Sequence, residues 1–306
     1  MWTERIGVQA FPLTIFSAGG RLLAGAAVVA AMVAGAGTTQ AASNATPWTD
    51  GHRSKARLIL GSLADGVSGQ QLVAGLEIVM DPDWKTYWRS PGDAGGIPPF
   101  FDWSKSQNLK SAKVMFPAPE RIKDPTGTTI GYKKHVVFPI ILEVVDKSKP
   151  VGVALQVDFG VCREICVPAR AQLAIQVMPN QIRTMPPEIA KALGEIPKVR
   201  EKIKEGGDRL PYVTAVAARL SGGKPEIVFD VMFPGGIARA DVFVEGKEDM
   251  FVPVAQPAGR AGDNVLRYRI DLAGHSDRLK FAGQALRVTM VSAAGHSEVE
   301  VVVPKP

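Results

Sequence analysis

Cysteine is scarce in this 306-residue chain: Cys162 and Cys166 are the only two. Histidine is nearly as rare, and His52, His135, His275 and His296 lie far apart with no His-x3-His pair among them. The chain has no Gly-x-Ser-x-Gly, no phosphate loop and no dinucleotide fingerprint. Gly92-Asp93-Ala94-Gly95-Gly96 has neither the preceding strand nor the following helix that a phosphate cradle needs, so it is a turn. These absences exclude the common hydrolase and nucleotide-binding chemistries and give no reason to expect a cofactor or a dedicated metal site. A concentrated charge of one sign is missing too. The formal charge is +6 and the pI about 9.3, but lysines and arginines are scattered among acids, which argues for solubility and against nucleic acid as a partner.

Long apolar runs are confined to one place. Leu22 to Gly37 (LLAGAAVVAAMVAGAG) follows Arg5 and Arg21 and precedes Thr39-Gln40-Ala41. A basic flank, a short apolar core and a small-residue exit predict a secretory signal peptide over 1–41, since a membrane span needs roughly 20 residues. An uncleaved N-terminal anchor is the alternative. Either way the folded part is expected outside the bacterial cytoplasm, in the periplasm, where disulfides persist. About 265 residues follow Ala41, enough for two domains with their own cores, so no disulfide is needed for folding.

Helical periodicity is also sparse, and period two dominates. Leu72, Ala74, Leu76, Ile78 and Met80 alternate with other residues, and Val136 to Val145 (VVFPIILEVV) is a longer apolar run broken by Pro139. Val151, Val153, Leu155, Val157 and Phe159 share one face, and Leu173, Ile175 and Val177 continue the habit. Short strands with Gly, Pro, Asp and Asn punctuation predict an antiparallel sandwich. From Pro186 to Gly207 the spacing changes to three and four residues (Ile189, Leu193, Ile196, Val199, Ile203). Pro187 suits a first helical turn, while Pro197 breaks the run. This predicts a short helical connector over 181–207, or a helix belonging to one sandwich. Strands then resume at Glu226 to Phe233, Asp241 to Val244, Leu266 to Leu272, Leu286 to Val291 and Val299 to Val303, predicting a second β-sandwich over 208–306.

The two cysteines sit in "DFGVCREICVPARAQL", residues 158–173, between two strand patterns. A structural staple, a metal clip, a redox-active disulfide and two unconnected thiols are all compatible with the spacing. A bond here closes a loop of about five residues, which stabilises by only about 2 kcal/mol. Short loops also restrict the bond's geometry and make it easier to reduce. Redox chemistry is therefore favoured over a staple. A static disulfide, or a Cu(I) clip completed by a histidine or methionine, stays open as the non-catalytic alternative. Cys162 ends an alternating strand, whereas Cys166 precedes Val167-Pro168, where proline cannot donate a backbone hydrogen bond and leaves the edge more open. Arg163 and Arg170 are candidates for stabilising a thiolate, and Glu164 opposes them.

Together, "FGVCREICVPA", "DWKTYWRSPGDAGGIPPFFDW" (83–103) and "GYKKHVVFPI" (131–140) resemble the periplasmic N-terminal alpha domain of the thiol:disulfide interchange protein DsbD, in the branch that includes the copper-sensitivity suppressor ScsB. The resemblance covers about residues 48–180, and the motifs occur in the family's order. It implies a mainly β protein of two immunoglobulin-like antiparallel sandwiches, with Cys162 and Cys166 as the catalytic pair, Cys166 attacking and Cys162 resolving. It also implies partners: a membrane-embedded thiol redox donor or a thioredoxin-like domain on one side, and an oxidised periplasmic protein as substrate on the other. The chain contains no Cys-x-x-Cys and no multi-helix membrane segment, so the donor is expected to be separate. Family alpha domains carry a cap loop over the cysteines. Trp84, Tyr87, Trp88 and Asp93 are the residues here that would shield or dock, with sandwich-core packing as the alternative for the aromatics.

Overall fold

A computed structural model describes residues 44–65, 69–124, 127–203, 207–247 and 250–305. The signal-like segment over 1–41 lies outside them. Among the described residues no helix is long and apolar enough to cross a membrane.

Eleven strands fill the first half of the chain: β1 (Thr49–Gly51), β2 (Ser54–Asp65), β3 (Gly69–Met80), β4 (Lys85–Tyr87), β5 (Phe100–Asp102), β6 (Leu109–Val114), β7 (Glu120–Asp124), β8 (Gly127–Lys133), β9 (His135–Val144), β10 (Val151–Cys162) and β11 (Cys166–Val177). They form two sheets, ordered β1-β2-β3-β9-β6 and β11-β10-β4-β8-β7, with β5 added to β10. Every pairing between these strands is antiparallel. The alternation in β10 buries Val151, Val153, Leu155, Val157 and Phe159 against Leu58, Leu76, Phe138 and Ile140 of the opposite sheet. Apolar side chains at every second position have only one dry face to occupy, and that face becomes the core.

The continuous run in β9 has a different cause. Its core face carries Phe138 and Ile140, while its other face lies under the helix α1 (Pro187–Gly194), where Ile189 packs with Ile59 and Val73 and Ile141 joins them. A strand buried on both sides reads as unbroken apolar sequence. The helix starts with Pro187 in its first turn, as expected, but occupies eight residues only. The longer periodic stretch ends early, because residues 198–200 extend into strand β12 (Lys198–Arg200), which pairs in parallel with β19 (Gly295–Val302). Ile196 precedes Pro197 and is thereby steered away from helical backbone.

The second sandwich contains β13 (Tyr212–Arg219), β14 (Glu226–Met232), β15 (Asp241–Glu245), β16 (Gln256–Gly262), β17 (Val265–Asp271), β18 (Ala285–Ser292) and β19 (Gly295–Val302). Its sheets run β12-β19-β18-β15 and β13-β14-β17-β16. Phe229, Tyr268, Ile270, Leu286, Val288 and Met290 lie in its core. Both sandwiches belong to one unit, Ala42–Pro306, and their contact is intimate. Phe243 and Val291 of the second sandwich pack into the core of the first. Arg121 of β7 makes a two-pronged bond to Asp241 at 2.7 and 2.9 Å and also donates to the carbonyls of Val242 and Ala255.

Candidate functional site

The β10–β11 hairpin places Cys162 and Cys166 directly opposite each other as the last pair of its ladder, with Arg163-Glu164-Ile165 as the loop. The two are joined as a disulfide, with Cα atoms 4.2 Å apart. Their exposures differ sharply. Cys162 is 1% exposed, whereas Cys166 is exposed at the start of β11, the strand that ends its sheet. Cys162 is hemmed in because β4 pairs with the other side of β10 and sets Lys85 opposite it. Nothing comparable lies beside Cys166, since β11 pairs only with β10 among the described strands.

Tyr87 reaches both sulfurs. Its hydroxyl lies 2.6 Å from Sγ of Cys162 and 2.8 Å from Sγ of Cys166. Sulfurs in a disulfide carry no hydrogen, so the phenol donates. The ring is 1% exposed and lies between two glycines. A Cβ on Gly96 would fall 2.2 Å from Cε1, and one on Gly160 would fall 2.9 Å from Cε2. Burial first, and the Asp124 carboxylate second, push the phenol above its ordinary pKa, so Tyr87 keeps its proton throughout the physiological range. Asp124 in turn takes an ion pair from Lys85, whose side chain is 6% exposed. Thr86 ties the short strand β4 to β10 by donating to the Gly160 carbonyl at 2.8 Å.

The other sequence candidates separate. Trp88 is buried in the first core and meets Phe243 at 5.9 Å between ring centroids. Trp84 is half-buried and stands edge-on to His52 at 5.3 Å. Asp93 accepts a hydrogen bond from the backbone N–H of Val254, 2.9 Å away in the second sandwich. Arg170 is bound to Asp158 and Arg163 lies 3.8 Å from Glu164, so both guanidiniums already face carboxylates. The donor beside the sulfurs is a phenol, not an arginine. His135 and His296 each face a glutamate, Glu77 and Glu195 respectively.

Sequence reasoning passes over Lys85 and Asp124. The signal for Lys85 is present: a lysine inside the aromatic stretch Trp84 to Trp88 must find a partner if that stretch is buried. Asp124, 39 residues away, carries no such mark. Arg89 is missed as well. Its guanidinium bonds Glu245 through Nε and Nη2 at 2.7 to 3.0 Å and reaches Glu298 at 2.8 Å, while stacking 4.5 Å above the Trp88 ring.

Residues 62–177 match the family model described as Thiol:disulfide interchange protein DsbD, N-terminal. Over that segment the chain is similar to the N-terminal domain of DsbD. Among solved structures, the N-terminal periplasmic domain of ScsB from Proteus mirabilis superposes with a TM-score of 0.63 at 20% identity, covering 87% of this chain and 100% of that one. At that identity the likeness establishes the fold, and it extends across both sandwiches. An endo-fucoidan hydrolase of glycoside hydrolase family 107 superposes with a TM-score of 0.19 at 9% identity, over 74% of this chain and 34% of the other, too low to support any argument. No curated protein matches the chain. The family match and the disulfide together point to a role in thiol:disulfide interchange.

Proposed function

We propose that this DsbD-type domain is a periplasmic thiol:disulfide oxidoreductase that relays two electrons from a thiol redox donor to oxidised proteins through Cys162 and Cys166. The observation that supports it most is the asymmetry of the pair: one sulfur is open to an incoming chain and the other is sealed behind β4, with a single phenol donating to both. A staple has no use for an exposed half. On this reading 48–180 is the redox domain, 181–207 the connector and 208–306 a second sandwich for docking or support.

In the reduced protein the Cys166 thiolate attacks one sulfur of a substrate disulfide. A bond forms between Cys166 and that sulfur, the substrate's S–S bond breaks, and the departing sulfur takes up a proton. Cys162 then attacks Sγ of Cys166, re-forming the intramolecular bond and releasing the second substrate thiol, which is also protonated. Two electrons leave the dithiol and two thiols appear on the substrate. The donor dithiol reverses these steps, entering at Cys166 because that sulfur is accessible. A membrane-embedded redox protein or a thioredoxin-like domain supplies the donor chemistry. The test is to mix oxidised protein with a reduced thioredoxin-like domain and count free thiols by alkylation. Two thiols should appear per chain, and none appearing while the donor stays active would overturn the relay.

Tyr87 is the residue that tunes the exchange. A phenol donating to a thiolate stabilises the charged form and lowers the thiol pKa. Tyr87→Phe removes the donor and keeps the ring, so the thiol pKa rises and less thiolate is present at pH 7, about tenfold less for every pH unit by which the midpoint moves. Alkylation of the reduced protein measured against pH should show its midpoint displaced to higher pH; an unchanged midpoint would remove Tyr87 from the chemistry.

A further inference from the structure

The segment following Tyr87 has two kinds of attachment. To the first sandwich it is held by the Trp88 side chain, buried in that core, and beyond it by backbone bonds: Trp88 N–H to the Ile130 carbonyl, Ile130 N–H to Pro91, Ala94 N–H to Thr128, and Gly160 N–H to Ile97. Its charged side chains go elsewhere. Arg89, two residues past Tyr87, forms its two-pronged bond with Glu245 and a further bond with Glu298, and these three side chains are only 22%, 13% and 16% exposed. Asp93, three residues before the Gly96 that lies on the Tyr87 ring, accepts from Val254. All three partners, Glu245, Glu298 and Val254, belong to the second sandwich, which contains no cysteine.

We infer that the second sandwich is a latch: by gripping Arg89 and Asp93 it fixes the 88–97 segment over Tyr87 and so holds the phenol on the sulfurs. The inference rests on the redox reading of the Cys162–Cys166 pair. Charge-assisted two-pronged bonds set orientation as well as energy, and partial burial makes this one firmer than a surface ion pair. The Asp93 contact is exposed and weaker. Between the two anchors lie Pro91 and Gly92, and beyond Asp93 lie Gly95 and Gly96. Gly92, Gly95 and Gly96 all have positive φ, backbone that a loop of other residues does not readily adopt. Arg89 and Asp93 are thus positioning residues that act through Tyr87. The grip of Arg121 on Asp241, Val242 and Ala255 is separate, so loosening the latch leaves the sandwiches docked.

The full chain tests this through two folded variants, Glu245→Gln with Glu298→Gln, and Asp93→Ala, each made with Tyr87 and with Tyr87→Phe. Reduced protein is alkylated across a pH range. The high-pH plateau reads access to the thiols and the midpoint reads the phenol's donation. Lys85, Asp124, Arg163 and Glu164, the other ionisable groups around the pair, are unchanged in every variant. With Tyr87 present, the paired glutamine variant should raise the plateau and move the midpoint up by about half a pH unit or more, an approximately threefold loss of thiolate at pH 7. In the Tyr87→Phe background the midpoint should not move further, because both changes remove one interaction. Asp93→Ala, at an exposed contact that the fold does not depend on, should raise the plateau with a smaller midpoint displacement, and carries the test if the paired variant does not fold. Unchanged plateau and midpoint in a folded variant, or an equal midpoint displacement without the phenol, would overturn the latch. A wild-type dithiol that fails to exchange with oxidised glutathione would instead count against the redox reading, since alkylation reads the latch whether or not exchange occurs.

Discussion

Cys162→Ser is expected to trap a mixed disulfide between Cys166 and its partner, while Cys166→Ser traps little. Exchange needs three sulfurs nearly in line, so an incoming chain must reach the sulfur it attacks. Cys162 has 1% of its surface open and lies between β4 and β11 in the ladder; Cys166 opens β11 on the free side. With Cys162 replaced, the exposed thiol still attacks, but nothing releases the product, and the covalent intermediate accumulates. With Cys166 replaced, the remaining thiol is sealed. Periplasmic extracts separated without reductant should show a cysteine-dependent high-mass band for the first variant alone. The reverse pattern would exchange the roles of the two sulfurs.

The second large effect belongs to Gly131. On β8 it stands opposite Tyr87 of β4, and a Cβ there would fall 2.0 Å from the Thr86 carbonyl oxygen. That neighbour is backbone in a strand tied on both sides, to β8 and to β10, so it has no rotamer through which to yield. Gly131→Ala should therefore cost about 3 kcal/mol, at the upper end for overpacking. Because the strain falls on β4, Tyr87 should leave the sulfurs in the molecules that still fold. Denaturant unfolding would check the stability and the alkylation midpoint the site; a variant as stable as the parent would show that β4 is loosely held.

How much of this is legible in the sequence depends on how each element is held. β10 announces itself because nine residues, Val151 to Phe159, alternate between two faces, and the structure buries the face that the pattern selects. The mainly β, two-sandwich architecture follows from such strands. The unbroken apolar run of β9 is harder to interpret, since its cause is a helix arriving from residues 187–194 to cover the outer face. β4 and β5 are three residues each and exist because neighbouring ladders recruit them, which no local period encodes. In the site, the close cysteine pair is visible by its rarity alone, and Tyr87 stands among the aromatics considered for shielding, though its contact with both sulfurs is not foreseeable from spacing. The carboxylates that bind Arg89 lie 156 and 209 residues further along the chain. Partnerships at that separation are set by how two sandwiches dock, and residue spacing contains no trace of them.

The reduction potential of the Cys162–Cys166 disulfide tests the central claim most directly. Protein equilibrated with glutathione buffers and quantified by thiol alkylation should give a potential between about −120 and −270 mV, the range spanned by dedicated disulfide-exchange proteins. A potential below about −300 mV, where structural disulfides lie beyond the reach of the glutathione pool, would contradict it and leave the pair as a static cross-link.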